Sequence, residues 1–306
     1  MKPIFLFFLI LFSCNEKAKE TETIIEHIKL EKGDLKLPNY ELLTDLNIKL
    51  EQPKPGEWLY NNHEKEQSYS DYIKSNPVSP FKDINIIYIQ PIGTFTPWEQ
   101  KIINWNTEYI ELFFNLKTVQ LPSISENSIP KTQQRFHNGN NQLNASYIIN
   151  SILPKKTPKD GIVIMGITAK DLYPRPSWNF VFGLASYKKR TGVSSIFRYS
   201  DGSIDETNYS KCLMRIIKTS VHEISHMFTI KHCTYAICLM NGSNNLRESD
   251  SRPNALCTEC LSKLSWNLNF DNVARLNKLI SFMEKHHLNE DASILSKQRD
   301  IMLINK

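Results

Sequence analysis

From Tyr209 to Phe228 the apolar residues Leu213, Ile217, Val221, Ile224 and Phe228 recur at three- and four-residue steps. This spacing predicts an amphipathic helix with one buried stripe. Asp205, Thr207 and Asn208 offer capping side chains at its start. Helical spacing recurs over Pro97–Phe114, through Trp98, Ile102, Trp105, Tyr109, Leu112 and Phe113. It recurs again over Asn272–His287, through Val273, Leu276, Leu279, Ile280 and Met283. A further helix is expected over Gln142–Leu153. The β-branched run Gly161–Thr168 suits a central strand, and Asn85–Gln90 and Thr118–Leu121 suit two more. Phe180–Ser186 and Gly192–Arg198 complete the strands, joined by the basic Tyr187–Arg190 loop. The order β-α-β-α-β-β-β-α predicts an α/β (α+β) fold, a twisted mixed five-stranded sheet backed by helices.

The chain begins Met1-Lys2, followed by an unbroken apolar run from Pro3 to Phe12. That run is too short to cross a bilayer and suits a signal peptide. It ends in Leu11-Phe12-Ser13-Cys14, which resembles a bacterial lipoprotein cleavage site. Residues 1–13 are therefore expected to be removed, with Cys14 carrying the lipid. The expected location is the cell envelope, as an exported, membrane-anchored lipoprotein. Residues 14–37 are rich in Lys and Glu and suit a solvated tether. Residues 38–82 are punctuated by Pro38, Pro53, Pro55, Pro77 and Pro80 and read as an irregular wrap. Residues 83–306 are left for the main folded domain.

With 41% hydrophobic and 23% charged residues over 306 positions, the composition is that of an ordinary globular protein. The net charge of +5 is spread out, with no compact Lys/Arg stripe. Nucleic acid is therefore not an expected partner.

Chemistry concentrates at residues 222–233, His-Glu-Ile-Ser-His-Met-Phe-Thr-Ile-Lys-His-Cys, which hold three of the eight histidines. His222 and His226 lie one helical turn apart on the same face and can share a metal ion. His232 is spaced to return and supply a third nitrogen. Three protein ligands and one open position mark a catalytic zinc. Glu223, beside the first ligand, is the expected general base for the water that zinc activates. The plainer alternative is a polar helix face followed by a basic loop.

Four of the six cysteines follow at once: Cys233, Cys238, Cys257 and Cys260. Two pairs across a short loop suit a structural tetrathiolate zinc. In an oxidising compartment such pairs also form disulfides, and a Cys-x-x-Cys can be redox-active. Met240 lies eight residues beyond His232 and reads, on its own, as a buried gap-filler.

The run His-Glu-x-x-His-x5-His-Cys-x4-Cys-x-Met, with Cys-x-x-Cys after sixteen intervening residues, resembles the archaemetzincins, a metzincin-type family of zinc peptidases. Gly166-Ile167-Thr168, Asp171-Leu172-Tyr173 and Asn179–Ala185 are similar to the strands upstream of that family's active-site helix. Cys257–Trp266 and Phe270-Asp271 resemble its closing segment. Residues 55–80, with Glu57-Trp58-Leu59 and Glu66-Gln67-Ser68, are similar to the N-terminal portion of longer members. The resemblance implies a metzincin-like zincin fold with a small C-terminal subdomain holding the four-cysteine zinc site and a C-terminal helix. It implies two zinc ions per chain, His222, His226 and His232 for the catalytic one, and Met240 as the Met-turn. It also implies that Phe182, Gly183, Leu184 and Ala185 form an edge strand that pairs with a peptide or protein substrate.

One departure stands out. Thr229 occupies the position where the family pattern has Gly, three residues after the second zinc histidine. A left-handed turn there costs a β-branched residue about 1–2 kcal/mol. Either the turn is displaced or the tether through Cys233 holds it. This feature favours an alternative function, a zinc-stabilised lipoprotein that binds peptides with little or no turnover. The intact Glu223 favours the peptidase.

Overall fold

The computed structural model describes residues 37–304. The expected signal peptide, Cys14 and the tether up to residue 36 lie outside them. Three short helices, α1 (Tyr40–Asp45), α2 (Trp58–Asn61) and α3 (Tyr69–Lys74), stand in the segment whose prolines suggest an irregular wrap. Helix α3 starts at a capping box formed by Ser68 and Asp71, a local signal that the prolines around it obscure.

The main sheet comprises β1 (Ile86–Ile92), β2 (Thr118–Gln120), β5 (Gly161–Thr168), β7 (Gly183–Ser186) and β8 (Thr191–Ser195). Its order is β2-β1-β5-β8-β7, parallel except for β7 against β8. This is the expected mixed five-stranded sheet. A second sheet, β3 (Gln134–His137), β4 (Asn140–Asn144) and β6 (Asp171–Tyr173), is additional to it. It corrects the helix expected over Gln142–Leu153. Gln142, Leu143 and Asn144 pair with Asp171, Leu172 and Tyr173, and only then does the chain turn helical, as α5 (Ala145–Tyr147) and the short turns that follow. Leu143 stands four residues before Tyr147, a helical step, which hides the strand.

The helix α4 (Pro97–Phe114) starts where the sequence places it. Pro97 sits in the first turn, and Thr96 and Glu99 form a capping box. The long helix α6 (Tyr209–Met227) also follows its apolar stripe, and Leu213, Ile217, Val221, Ile224 and Phe228 are all fully buried. Its expected cap is different. Asn208 makes no side-chain capping bond; Asp205 instead accepts from Thr207 N (2.8 Å), building a local turn before the helix. Four more helices follow: α7 (Leu246–Asp250), α8 (Thr258–Leu268), α9 (Asn272–Lys285) and α10 (Asn289–Leu303).

Alternation along β5 divides the interior. Val163, Met165 and Ile167 join the large core with α4 and α6, while Ile164 faces a smaller core with Ile148, Ile149 and Leu153. A strand buried on both faces explains the unbroken apolar run. The architecture sets the histidine-bearing end of α6 beside the antiparallel edge β7.

His286, just past the end of α9, is buried against Trp105, Tyr209 and Phe282. Its Nε2 has no hydrogen-bond partner among the described residues, and burial pulls its pKa down to about 4. As pH falls below about 6.5 the unfolded chain takes up a proton there that the folded chain refuses until about pH 4. The folded state therefore loses stability across that window, by up to roughly 2 kcal/mol. His286→Phe keeps the ring packing and should flatten this loss. The melting temperature of the variant relative to the parent should rise between pH 7 and pH 5; a constant difference would refute the assignment.

Candidate active site

The last two turns of α6 carry His222, Glu223 and His226, and the chain then reverses to bring His232 back. The three imidazoles meet at centroid separations of 4.5, 5.1 and 4.8 Å. Each Nδ1 is engaged on the outside. His222 Nδ1 lies 3.0 Å from Leu239 O, His226 Nδ1 2.6 Å from Ile230 O, and His232 Nδ1 2.9 Å from both Glu64 oxygens. Carbonyl and carboxylate oxygens only accept, so Nδ1 must carry the hydrogen in each ring. The Nε2 lone pairs are then left for the centre.

This tautomer assignment tests whether a metal fits. His222 Nε2 and His226 Nε2 lie 3.0 Å apart. Two lone pairs at that distance repel unless a cation sits between them. Tetrahedral zinc with nitrogens at about 2.0–2.1 Å separates them by about 3.3 Å, close to what is seen. Burial, and then the charge of His232, pull the His222 pKa down to about 3, and the same causes hold His226 well below its usual value, burial first and then its two neighbours. Neutral imidazole is the form that binds a metal. The donor set and its preparation therefore fit zinc.

Glu223 is buried, and burial alone pushes its pKa up to about 8. A cation at the adjacent histidines would draw it back toward the carboxylate. The carboxyl packs against β7. A Cβ on Gly183 would come within 2.6 Å of Glu223 Oε1 and 2.8 Å of Thr219 Cγ2. Gly183 is thus glycine because the edge strand crosses the base at backbone distance. Gly183→Ala should fold normally but displace the carboxylate. Peptide cleavage should fall by about 10²-fold, the usual effect of misplacing a catalytic group by an ångström. Unchanged cleavage would show that the base tolerates the shift.

The expected edge strand is the outer strand of the sheet. Gly183, Leu184 and Ala185 lie in β7 and pair with Ser194, Val193 and Gly192. Phe182 lies just before it, its carbonyl accepting from Ser195 N at 3.0 Å. Together these residues line a cleft of about 980 Å³ that also holds the three histidines and Glu223. Tyr187, from the β7–β8 turn, places its hydroxyl 2.9 Å from His226 Nδ1. Nothing in its spacing marks it.

Thr229 does take the left-handed conformation, with φ of 73°. The turn is not displaced: Thr229 N donates to His226 O (2.8 Å) and Ile230 N to Ser225 O (3.1 Å). The N-terminal segment holds it in place. Val78 N donates to Thr229 Oγ1 (3.2 Å), Gln67 Nε2 to Thr229 O (3.1 Å), and Tyr72 Oη to Phe228 O (2.8 Å). Gln67 Oε1 accepts from Lys231 N (3.0 Å) on the other side of the turn. The hydroxyl that makes Thr costly here also gives it a partner that Gly lacks.

Below the histidines, Cys233, Cys238, Cys257 and Cys260 are buried free thiols whose Sγ atoms lie within 4.8 Å of one another. The Cys233–Cys257 Sγ distance is 3.6 Å, well beyond a disulfide. Cys257 N and Met240 N donate to Cys238 Sγ (3.2 and 3.4 Å), stabilising negative charge on sulfur. Hydrogen bonds from the other three thiols pull the Cys233 pKa far down. Met240 is fully buried, and its carbonyl accepts from Cys233 N at 2.8 Å. Asn241 ties the loop, accepting from Cys238 N (2.7 Å) and donating to Cys233 O and Ala236 O (2.8 and 2.9 Å). Leu239 O, on the same turn, holds His222. The resemblance singles out Met240 but not these neighbours, which act through backbone and amide groups.

Peptidase family M54 matches residues 150–266. Archaemetzincin-2 of Macaca fascicularis is 33% identical over 302 residues, covering 87% of this chain and 83% of that protein. The archaemetzincin of Archaeoglobus fulgidus is 31% identical over 180 residues, covering 59% of this chain and 99% of its own length. The crystal structure of the latter, complexed with malonate, superposes with a TM-score of 0.47 at 29% identity, covering 58% of this chain and 99% of its own.

Proposed function

The chain belongs to the archaemetzincin family of zinc metallopeptidases, and from that premise we propose that it hydrolyses peptide bonds with Glu223 as general base. Peptides or proteins are its substrates. His222, His226 and His232 would hold the catalytic zinc, and Cys233, Cys238, Cys257 and Cys260 a second, structural one. The observation that carries this reading is the convergence of three Nδ1-anchored imidazoles beside a buried carboxylate on an open strand edge.

Zinc bound at the histidines would supply a Lewis acid, acidifying water and polarising the scissile carbonyl. The chain's own residues do the rest. The outer edge of the half-buried strand 183–186 pairs with an extended peptide and sets the carbonyl in the cleft. Glu223 takes the proton of the attacking water and returns it to the departing amine. Tyr187, at the cleft wall, offers a hydroxyl beside His226. Elemental analysis should give two zinc ions per chain, and the same sample should cleave a peptide library until a chelator is added. Chelator-resistant cleavage would overturn the zinc mechanism.

The envelope location and the lipid anchor at Cys14 are part of the same proposal, supported by the Leu11–Cys14 pattern. The substitution Cys14→Ser should move the protein from the membrane fraction to the soluble one. A variant that still sediments with membranes would rule out the lipid.

A further inference from the structure

We propose that residues 58–64 belong to the metal centre, with Glu64 as the positioning residue for His232 and Trp58 as the support for Glu64. The inference deepens the three-histidine reading and rests on it.

The three ligands are held unequally. His222 and His226 sit on one rigid helix, and their Nδ1 groups donate to backbone carbonyls. His232 sits after the helix, beyond the turn at Thr229. Its Nδ1 meets a side chain, the carboxylate of Glu64, with both oxygens at 2.9 Å. Glu64 is 168 residues away in sequence, in the segment expected to be an irregular wrap. A carboxylate behind a ligating imidazole fixes its tautomer and ring plane and makes the inward-facing Nε2 a better donor.

Glu64 is itself fixed. Trp58 Nε1 donates to Glu64 Oε1 at 3.2 Å, and the indole stands edge-on to His232 with centroids 5.2 Å apart. Trp58 N donates to Glu248 Oε1 (2.8 Å), and Asn244 N donates to Glu248 Oε2 (2.7 Å). The indole lies on Gly242, where a Cβ would come within 2.4 Å of the ring. Helix α7, which carries Glu248, is clamped to α6 by the Arg215–Asp250 ion pair and by Lys218 Nζ donating to Ser249 O. The support of the third ligand therefore runs from the active-site helix through α7 and Trp58 to Glu64, and closes on His232. Every link is a hydrogen bond, an ion pair or a backbone close approach.

The test measures zinc affinity at the histidine site by competition with a chromophoric chelator, and records the absorption of the cobalt-substituted protein. Parent, Glu64→Ala, Glu64→Gln, Trp58→Phe and His226→Ala are compared, each with its cysteine-bound metal monitored separately. Glu64→Ala should bind the histidine-site metal about 10–100-fold more weakly and shift the cobalt bands. Glu64→Gln, which keeps shape and an acceptor but loses the charge, should fall between, and Trp58→Phe should weaken binding several-fold. The cysteine-site metal should be unaffected in all of them. Should Glu64→Ala fail to fold, Glu64→Gln decides alone: at least about threefold weaker binding supports the proposal. Affinity within about twofold of the parent for Glu64→Gln, with unaltered cobalt bands, overturns it. His226→Ala separates the two levels. If it loses no metal, the three-histidine reading itself is wrong, and this inference falls with it.

Discussion

Glu223→Gln is expected to leave zinc content unchanged and to lower peptide cleavage by at least about 10²-fold. The substitution keeps the size and packing of the side chain, so Gly183 and Thr219 still fit around it. It also removes a buried titrating group, so the folded state should be no less stable. What is lost is the proton acceptor. The water must then surrender its proton to a neutral amide, which has almost no basicity at neutral pH. Among the described residues that line the cleft no second carboxylate replaces it: Glu64, the other acid there, is committed to His232 Nδ1. Steady-state cleavage and elemental analysis on one preparation check both halves of the expectation. Parent-level activity with full zinc would remove Glu223 from the mechanism.

The contrast between Glu223 and Glu64 shows what sequence spacing can reveal. His222, Glu223 and His226 are legible because a helix maps sequence distance onto a face, and four residues is about one turn. The cysteines are legible because a knuckle needs close pairs. Gly161–Thr168 declares itself because both faces of its strand are buried. Glu64 and Trp58 are illegible for the opposite reason. The partner of Glu64 lies 168 residues away, and both occupy a stretch without periodicity whose prolines suggest only a wrap. The small sheet is hidden in the same way, since each strand of β3, β4 and β6 is five residues or fewer and becomes a strand only on pairing. Thr229 is the middle case. The resemblance locates the left-handed turn, because the family pattern has Gly where this chain has Thr229. The compensation from Gln67, Tyr72 and Val78 cannot, because it comes from a distant segment.

Cys257→Ser should have the largest effect on stability and should also reach the catalytic site. Cys257 is buried at the start of α8, with its sulfur 3.6 Å from Cys233 Sγ and its amide donating to Cys238 Sγ. Four sulfurs packed this closely repel once they ionise, so a cation is what makes the cluster favourable. Structural zinc contributes about 10–16 kcal/mol in small zinc domains. Forfeiting even a third of that exceeds the roughly 0.5–3 kcal/mol of ordinary substitutions. The damage should not stay local. Cys233 is bonded to His232, Cys233 N donates to Met240 O, and Asn241 ties Cys233 O to the turn whose Leu239 carbonyl holds His222. Two of the three histidines therefore lean on the cysteine loop. The variant should lose its structural zinc, hold its catalytic zinc about 10–100-fold more weakly, and lose activity in proportion. Zinc content and thiol titre, measured together, decide the matter. Two zincs in the parent, with both weakened by Cys257→Ser, establish the coupling. A parent with one zinc and no titratable thiols among the four cysteines would mean that disulfides brace the loop, and the coupling would have to run through covalent bonds instead.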